Sequence, residues 1–244
     1  MQNATNLDVE TEGNGGRPLP DEALLQLFHG SDGIKLTSIH PRGAVLFAEG
    51  QPGDGVYLLR TGRAKVSISS AAGKTVILRV AQPGALLGVN SVIKDVPHEV
   101  TVETLERCRI DFISRSDFIK ALAKTDPALV GVAHTLGNEL SEVFNHLRSL
   151  LLSQSAAERL ARLLLKWCDE EGESVSEGVR VNSGLTHEEI SQIICTSRET
   201  VTRLFAELRK KHNVGFAGNA IFVRDRRALE ALVCSREIAG ISSG

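Results

Sequence analysis

Residues 186–211 read THEEISQIICTSRETVTRLFAELRKK, a stretch rich in side chains that can read or grip nucleic acid. Thr186 followed three residues later by Glu189 is a capping box that opens a short helix with Ile190, Ile193 and Ile194 facing inward. The turn is expected near Cys195-Thr196, and Ser197 caps a second helix whose inner face is Val201, Leu204, Phe205 and Leu208. Two short helices joined by a tight turn make a helix-turn-helix, and its second helix enters the major groove by its N-terminal end. Arginine pairs with guanine O6 and N7, and a carboxylate accepts from cytosine N4. Arg198, Glu199 and Arg203 share one outer face and are the expected base-reading residues. Thr186, Ser197, Thr202, Lys210, Lys211 and Arg224 are expected on the DNA backbone, where contacts supply affinity and salt dependence.

Charge supports this locally and not globally. Residues 197–211 hold five basic side chains against two acidic ones, while the whole chain carries a formal charge of −2. A solvated amphipathic helix would show the same charges. Two neighbours weigh against it: Val214-Gly-Phe and Ala220-Ile-Phe-Val flank Gly218-Asn219, which reads as a hairpin wing, and Arg224, Arg226 and Arg227 follow it.

The rest of the chain must position that motif. Its 244 residues suit one or two domains of roughly 100–150 residues each. Residues 1–19 contain almost nothing to bury and are expected to be a disordered tail, and 236–244 are expected to be a C-terminal tail. Residues 20–28 suggest a short helix capped by Asp21. Glycines then recur between short β-rich runs: Ala44–Phe47, Val56–Leu59, Ala64–Ile68, Val76–Val80, Val100–Glu103 and Arg109–Ile113. That punctuation predicts an antiparallel sandwich or barrel. Helix is expected again at Ser116–Lys124. From Pro127 on, Leu129, Ala133, Leu136, Leu140, Val143, Leu147 and Leu150 fall at alternating spacings of four and three, an a/d seam for a coiled-coil dimer. Ser155-Ala-Ala-Glu158 is a second capping box, opening a helix over Ala156–Glu170, with a polar stretch at Glu171–Glu177 and a strand at Val179–Val181. The fold class is therefore α+β. Its parts are a β-roll over 20–125, a dimerisation helix over 126–153 and a winged helix-turn-helix over 154–235.

This layout resembles the Crp/Fnr superfamily of transcription regulators (cyclic-AMP receptor protein and fumarate-nitrate regulator). The resemblance covers nearly all of residues 30–230. Its most specific stretches are EEISQIICTSRETVTRLFAELRKKHNV and GAVLFAEGQPGDGVYLLRTGRAKV, the latter matching the first half of a cyclic-nucleotide-binding-type β-roll. It implies a homodimer on a two-fold symmetric operator with TGTGA-like half-sites. It also implies RNA polymerase as a partner and a small-molecule effector at Gly84, Ala85, Leu86, Gly88, His98 and Glu99.

The effector is where the sequence departs. Relatives that bind cyclic AMP hold the ribose with a glutamate where this chain has Ala85, and grip the phosphate with Arg-Ser where it has His98 and Glu99. A carboxylate repels a phosphate, and histidine is a weaker, pH-dependent substitute for arginine. A helix-turn-helix turn often has glycine where this chain has Cys195, which predicts strain there. The cysteines (Cys108, Cys168, Cys195, Cys234) have neither zinc nor iron–sulfur spacing, so no metal, cofactor or catalytic residue is expected. A cyclic-nucleotide sensor with altered contacts is an alternative. A cupin-like β-roll enzyme would need clustered ligands, and no His-x-His occurs. A pure interaction protein would leave the basic second helix unused. No apolar run reaches the roughly 20 residues of a membrane helix, so a cytoplasmic protein without membrane contact is expected.

Overall fold

The computed structural model describes Phe28 and residues 36–234, apart from 125 and 219. The expected helix at 20–28 thus lies outside the described residues except for Phe28, which is buried in the N-terminal core. So does Asn219 of the wing turn.

The β-roll consists of two four-stranded antiparallel sheets. One orders β1 (Leu36–His40), β8 (Cys108–Ser114), β3 (Gly55–Thr61) and β6 (Leu86–Leu87). The other orders β2 (Val45–Phe47), β7 (Thr101–Thr104), β4 (Ala64–Ser69) and β5 (Thr75–Ala81). Phe47, Leu59, Val66, Leu87, Val102 and Ile110 form the core between them. Three elements of the β-roll went unread in the sequence: β1, β6 and the short helix α1 (Val89–Lys94). Gly88 precedes α1 at φ +85° and needs to be glycine on both counts that matter. Its backbone is left-handed, and a Cβ there would lie 3.0 Å from Gly55 O and 3.3 Å from His98 Cε1.

Helix α2 spans Arg115–Leu122, slightly earlier than expected, because Ser114 is its N-cap and accepts from Asp117 N. The long helix α3 runs Asp126–Leu152. Its Ala128 and Val132 are buried with Val56, Val92 and Phe118, so α3 is part of the N-terminal core along its first turns.

In the C-terminal unit, α4 (Ala156–Glu171) begins at Ser155, which accepts from Glu158 N. The return arm of the expected capping box goes one residue further back, since Glu158 accepts from Gln154 N. The polar stretch at Glu171–Glu177 is corrected: it holds β9 (Glu173–Val175), paired with β10 (Gly178–Val181). All of β9 is exposed, so no hydrophobic alternation marks it. Then come α5 (His187–Ile193), α6 (Arg198–Lys210), β11 (Val214–Ala217), β12 (Ala220–Val223) and α7 (Arg226–Cys234). The third sheet orders β11-β12-β10-β9, and the wing is its β11–β12 hairpin.

Candidate nucleic-acid interface

Helices α5 and α6 are held at a fixed angle by caps at both of their ends. Thr186 accepts from Glu189 N at 3.1 Å, and Glu189 Oε2 accepts from Thr186 N at 2.7 Å, a complete capping box. Ile194 closes α5, Cys195 follows at φ +50°, and Thr196 N donates to Ser191 O at 3.0 Å. That is a Schellman-type end with a cysteine in the left-handed position, as the strain expected at the turn requires. Arg159 of α4 donates to Ile194 O at 2.7 Å and so fixes the turn from beneath. Ser197 caps α6 by accepting from Thr200 N.

Beneath α6, Val201, Leu204, Phe205 and Leu208 are buried against Leu160, Leu164, Ile190 and Val214. Its opposite face exposes Arg198, Glu199, Thr202 and Arg203 together. Neither guanidinium has a side-chain hydrogen bond or ion pair among the described residues. Glu199 is held ionised, because its own backbone N–H and then the Ser197 hydroxyl lower its pKa. The face therefore presents two cationic forks and one anionic acceptor to solvent. Lys210 and Lys211 are exposed at the far end of α6.

The hydroxyls expected on the DNA backbone are less free. Thr186 Oγ1 donates to Glu189 Oε2 at 2.9 Å. Thr202 Oγ1 donates to Arg198 O at 3.0 Å and lies 2.9 Å from His187 Nδ1. A hydroxyl has a single hydrogen, so in this geometry neither threonine has one left for a phosphate oxygen. Ser197 Oγ lies 3.1 Å from Thr200 Oγ1, and either hydroxyl can be the donor. Arg224 is ion-paired to Glu177 at 2.9 Å and packs over Gly215, tying the wing to the β9–β10 turn. His187 escaped the sequence reading. Its ring packs on Phe205 with centroids 5.2 Å apart, and Phe205 meets Phe216 of the wing edge-on at 5.3 Å. Burial, and after it the Arg198 charge, hold its pKa below the ordinary histidine value.

Domain models carry the comparison with known proteins. A cyclic nucleotide-binding domain model matches residues 39–125, and a Crp-like helix-turn-helix domain model matches residues 158–232. The chain belongs to the Crp/Fnr superfamily. Among Crp/Fnr relatives, the CRP-like cAMP-activated global transcriptional regulator of Mycobacterium tuberculosis is 26% identical over 189 residues, 78% of this chain and 84% of that protein. The anaerobic regulatory protein of Bacillus subtilis is 23% identical over 202 residues, 80% of this chain and 84% of its own. In fold, FixK2 from Bradyrhizobium japonicum superposes with a TM-score of 0.71 at 22% identity, covering 82% of this chain and 97% of that one. The c-di-GMP responsive regulator CLP of Xanthomonas campestris gives 0.72 at 18% identity, covering 84% and 100%.

The β-roll positions expected to hold an effector are only partly gathered. Gly84 (φ +92°) and Ala85 are stitched to β3 through Leu59, whose carbonyl accepts from Gly84 N and whose N–H donates to Ala85 O. Leu86 is buried in the core. His98 is buried beside Gly88, stacked on Phe47 at 3.8 Å and 16°, with neither ring nitrogen hydrogen-bonded among the described residues. Burial lowers its pKa, against the raising effect of Asp54. Glu99 instead is exposed, taking a hydrogen bond from Asn90 at 2.5 Å and an ion pair from Lys94 at 3.2 Å.

The expected a/d seam is divided. Leu136 packs on the N-terminal core, and Val143 and Leu150 are half-buried. Leu129 is exposed, and so is a line of Val130, Ala133, Gly137, Leu140, Phe144, Leu147 and Leu151, again at spacings of three and four. Among the described residues, no helix is long and apolar enough to cross a membrane.

Proposed function

We propose that this Crp/Fnr protein is a homodimeric, sequence-specific transcription regulator that binds a two-fold symmetric operator through α6. The observation that carries the reading is the exposed Arg198, Glu199 and Arg203 face on a helix whose other side is buried and whose N-terminus is capped by Ser197. Arg198 and Arg203 read guanines and Glu199 accepts from a cytosine amine. Lys210 and Lys211 supply phosphate contacts. Dimerisation runs along α3 through the exposed line from Val130 to Leu151, with Leu140, Phe144 and Leu147 at its centre. RNA polymerase is the partner that such a regulator acts on.

A signal at the β-roll modulates DNA binding. The Mycobacterium tuberculosis relative is described as cAMP-activated. In this chain a buried His98 on Phe47 stands where the phosphate grip is expected, and Ala85 has no carboxylate for a ribose. Both favour a signal other than cyclic AMP held by the family's usual contacts.

Selection of bound sequences from random duplex DNA tests the function. Wild type should enrich a two-fold symmetric site containing a G·C pair in each half. Arg203→Ala should lose about 1–3 kcal/mol and relax preference at one base pair. An unchanged preference in the variant would mean that Arg203 does not read a base.

A further inference from the structure

Thr202 occupies the middle of the α6 outer face, four residues after Arg198, three after Glu199 and next to Arg203. What it can offer to a base depends on which of its two Cβ substituents is free. Its Oγ1 is engaged twice, by Arg198 O at 3.0 Å and by His187 Nδ1 at 2.9 Å. If the hydroxyl hydrogen sits on the carbonyl, His187 carries a hydrogen on Nδ1 and donates to Oγ1. If it sits on His187, the carbonyl contact is lost but the hydrogen is still spent inside the protein. Either way the hydroxyl has no hydrogen for a base: Oγ1 can act there only as an acceptor, and the Cγ2 methyl is the apolar group the side chain offers.

His187 is itself well placed to enforce this. Its ring is wedged on Phe205, and Phe205 is braced by Phe216 of the wing. The imidazole thus links the start of α5, the reading face of α6 and the wing.

We infer that Thr202 is a specificity-determining residue that reads the 5-methyl group of a thymine in each half-site, and that His187 is the positioning residue that keeps its hydroxyl turned away from the bases. Apolar contact between a threonine methyl and the thymine methyl is a recognised mode of major-groove reading, whereas a free threonine hydroxyl accepts several bases. The inference rests on the reading of α6 as the recognition helix.

Replacing thymine by deoxyuridine removes the methyl group and nothing else. On the selected operator, each thymine is exchanged in turn and affinity is measured by fluorescence anisotropy. One position per half-site should lose about fourfold on exchange, the worth of one buried methyl. Thr202→Val keeps a methyl in place and should keep that ratio. Thr202→Ser should bring it to about one. His187→Ala should reduce it while the protein still binds, and His187→Asn, which retains a donor near Nδ1, should restore part of it. Specific binding with equal affinity for thymine and deoxyuridine at every position would refute the inference alone, with no variant needed. An unchanged ratio in His187→Ala would remove the positioning role. A wild type that enriches no sequence at all would instead overturn the reading of α6, and this inference with it.

Discussion

Phe144→Ala should dissociate the dimer while leaving the protomer folded. In a single protomer the Phe144 side chain is 58% exposed, with Leu140 at 54% and Leu147 at 43% on the same line of α3. Removing a fully buried phenylalanine costs about 3–5 kcal/mol, so the part of this ring still to be covered is worth about 2 kcal/mol. A two-fold axis places two such rings in the interface, giving about 4 kcal/mol, or a dimer dissociation constant weakened about a thousandfold. Leu136→Ala is the matched control. Leu136 already packs on the protomer's own core, so its truncation should lower the unfolding free energy by about 2 kcal/mol. It should change dimer affinity by less than about tenfold. Sedimentation velocity across a concentration series, with a thermal melt of each variant, separates the two effects. If Phe144→Ala dimerises like wild type while Leu136→Ala does not, the interface lies on the line of Leu129, Leu136, Val143 and Leu150 instead.

Further outcomes follow from individual residues. His98 has a folded-state pKa lowered by burial, so the unfolded chain takes up a proton that the folded one refuses as pH falls below about 6.5. Stability should therefore be full above that pH and decline below it. His98→Leu should flatten part of the decline in a melting series from pH 8 to pH 5; His146 and His187, also lowered by burial, contribute in the same direction, and Glu139, raised by burial, in the opposite one. An identical slope in the variant would refute the assignment. Cys195 sits at φ +50°, so Cys195→Gly should raise the melting temperature slightly and Cys195→Val should lower it, with about 1–2 kcal/mol between them. Lys210→Ala and Lys211→Ala should each weaken all duplexes alike and reduce the salt slope by about 0.9, as one lost phosphate contact requires; a sequence-dependent loss would place them at the bases.

Much of this was legible before any fold was available. The caps at Ser155, Thr186 and Ser197 are local chemistry, and so is the alternation of the strands, because each depends on residues within a few positions of one another. Where burial supplies no alternation, the sequence was silent. β9 is exposed throughout, and β1 leaves Leu36 and Ile39 exposed. The α3 seam shows a subtler limit. Leu129, Leu136, Val143 and Leu150 form one line, and Val130, Gly137, Phe144 and Leu151 the adjacent one. Periodicity marks both as apolar, and Gly137 weakens the outer line to the eye. Only the packing of Leu136 on the core tells them apart. Contacts between distant residues left no trace either. His187 meets Thr202 across the turn. Arg42 of the β-roll reaches the Glu189 carboxylate of the α5 capping box at 3.1 Å, and Arg63 donates to Ser183 O at 2.7 Å. These last two join the β-roll to the start of the helix-turn-helix.

In the proposed dimer, two copies of α6 read two half-sites related by the two-fold axis. Changing the spacing between half-sites tests it most directly. Inserting five base pairs at the centre of the selected operator keeps every contacted base but rotates one half-site by about half a turn of the duplex, away from the protein two-fold. Anisotropy titration of wild-type protein at fixed salt should show affinity for the altered duplex falling toward that for unrelated DNA. Equal affinity for the two duplexes would contradict a two-fold dimer reading a symmetric operator.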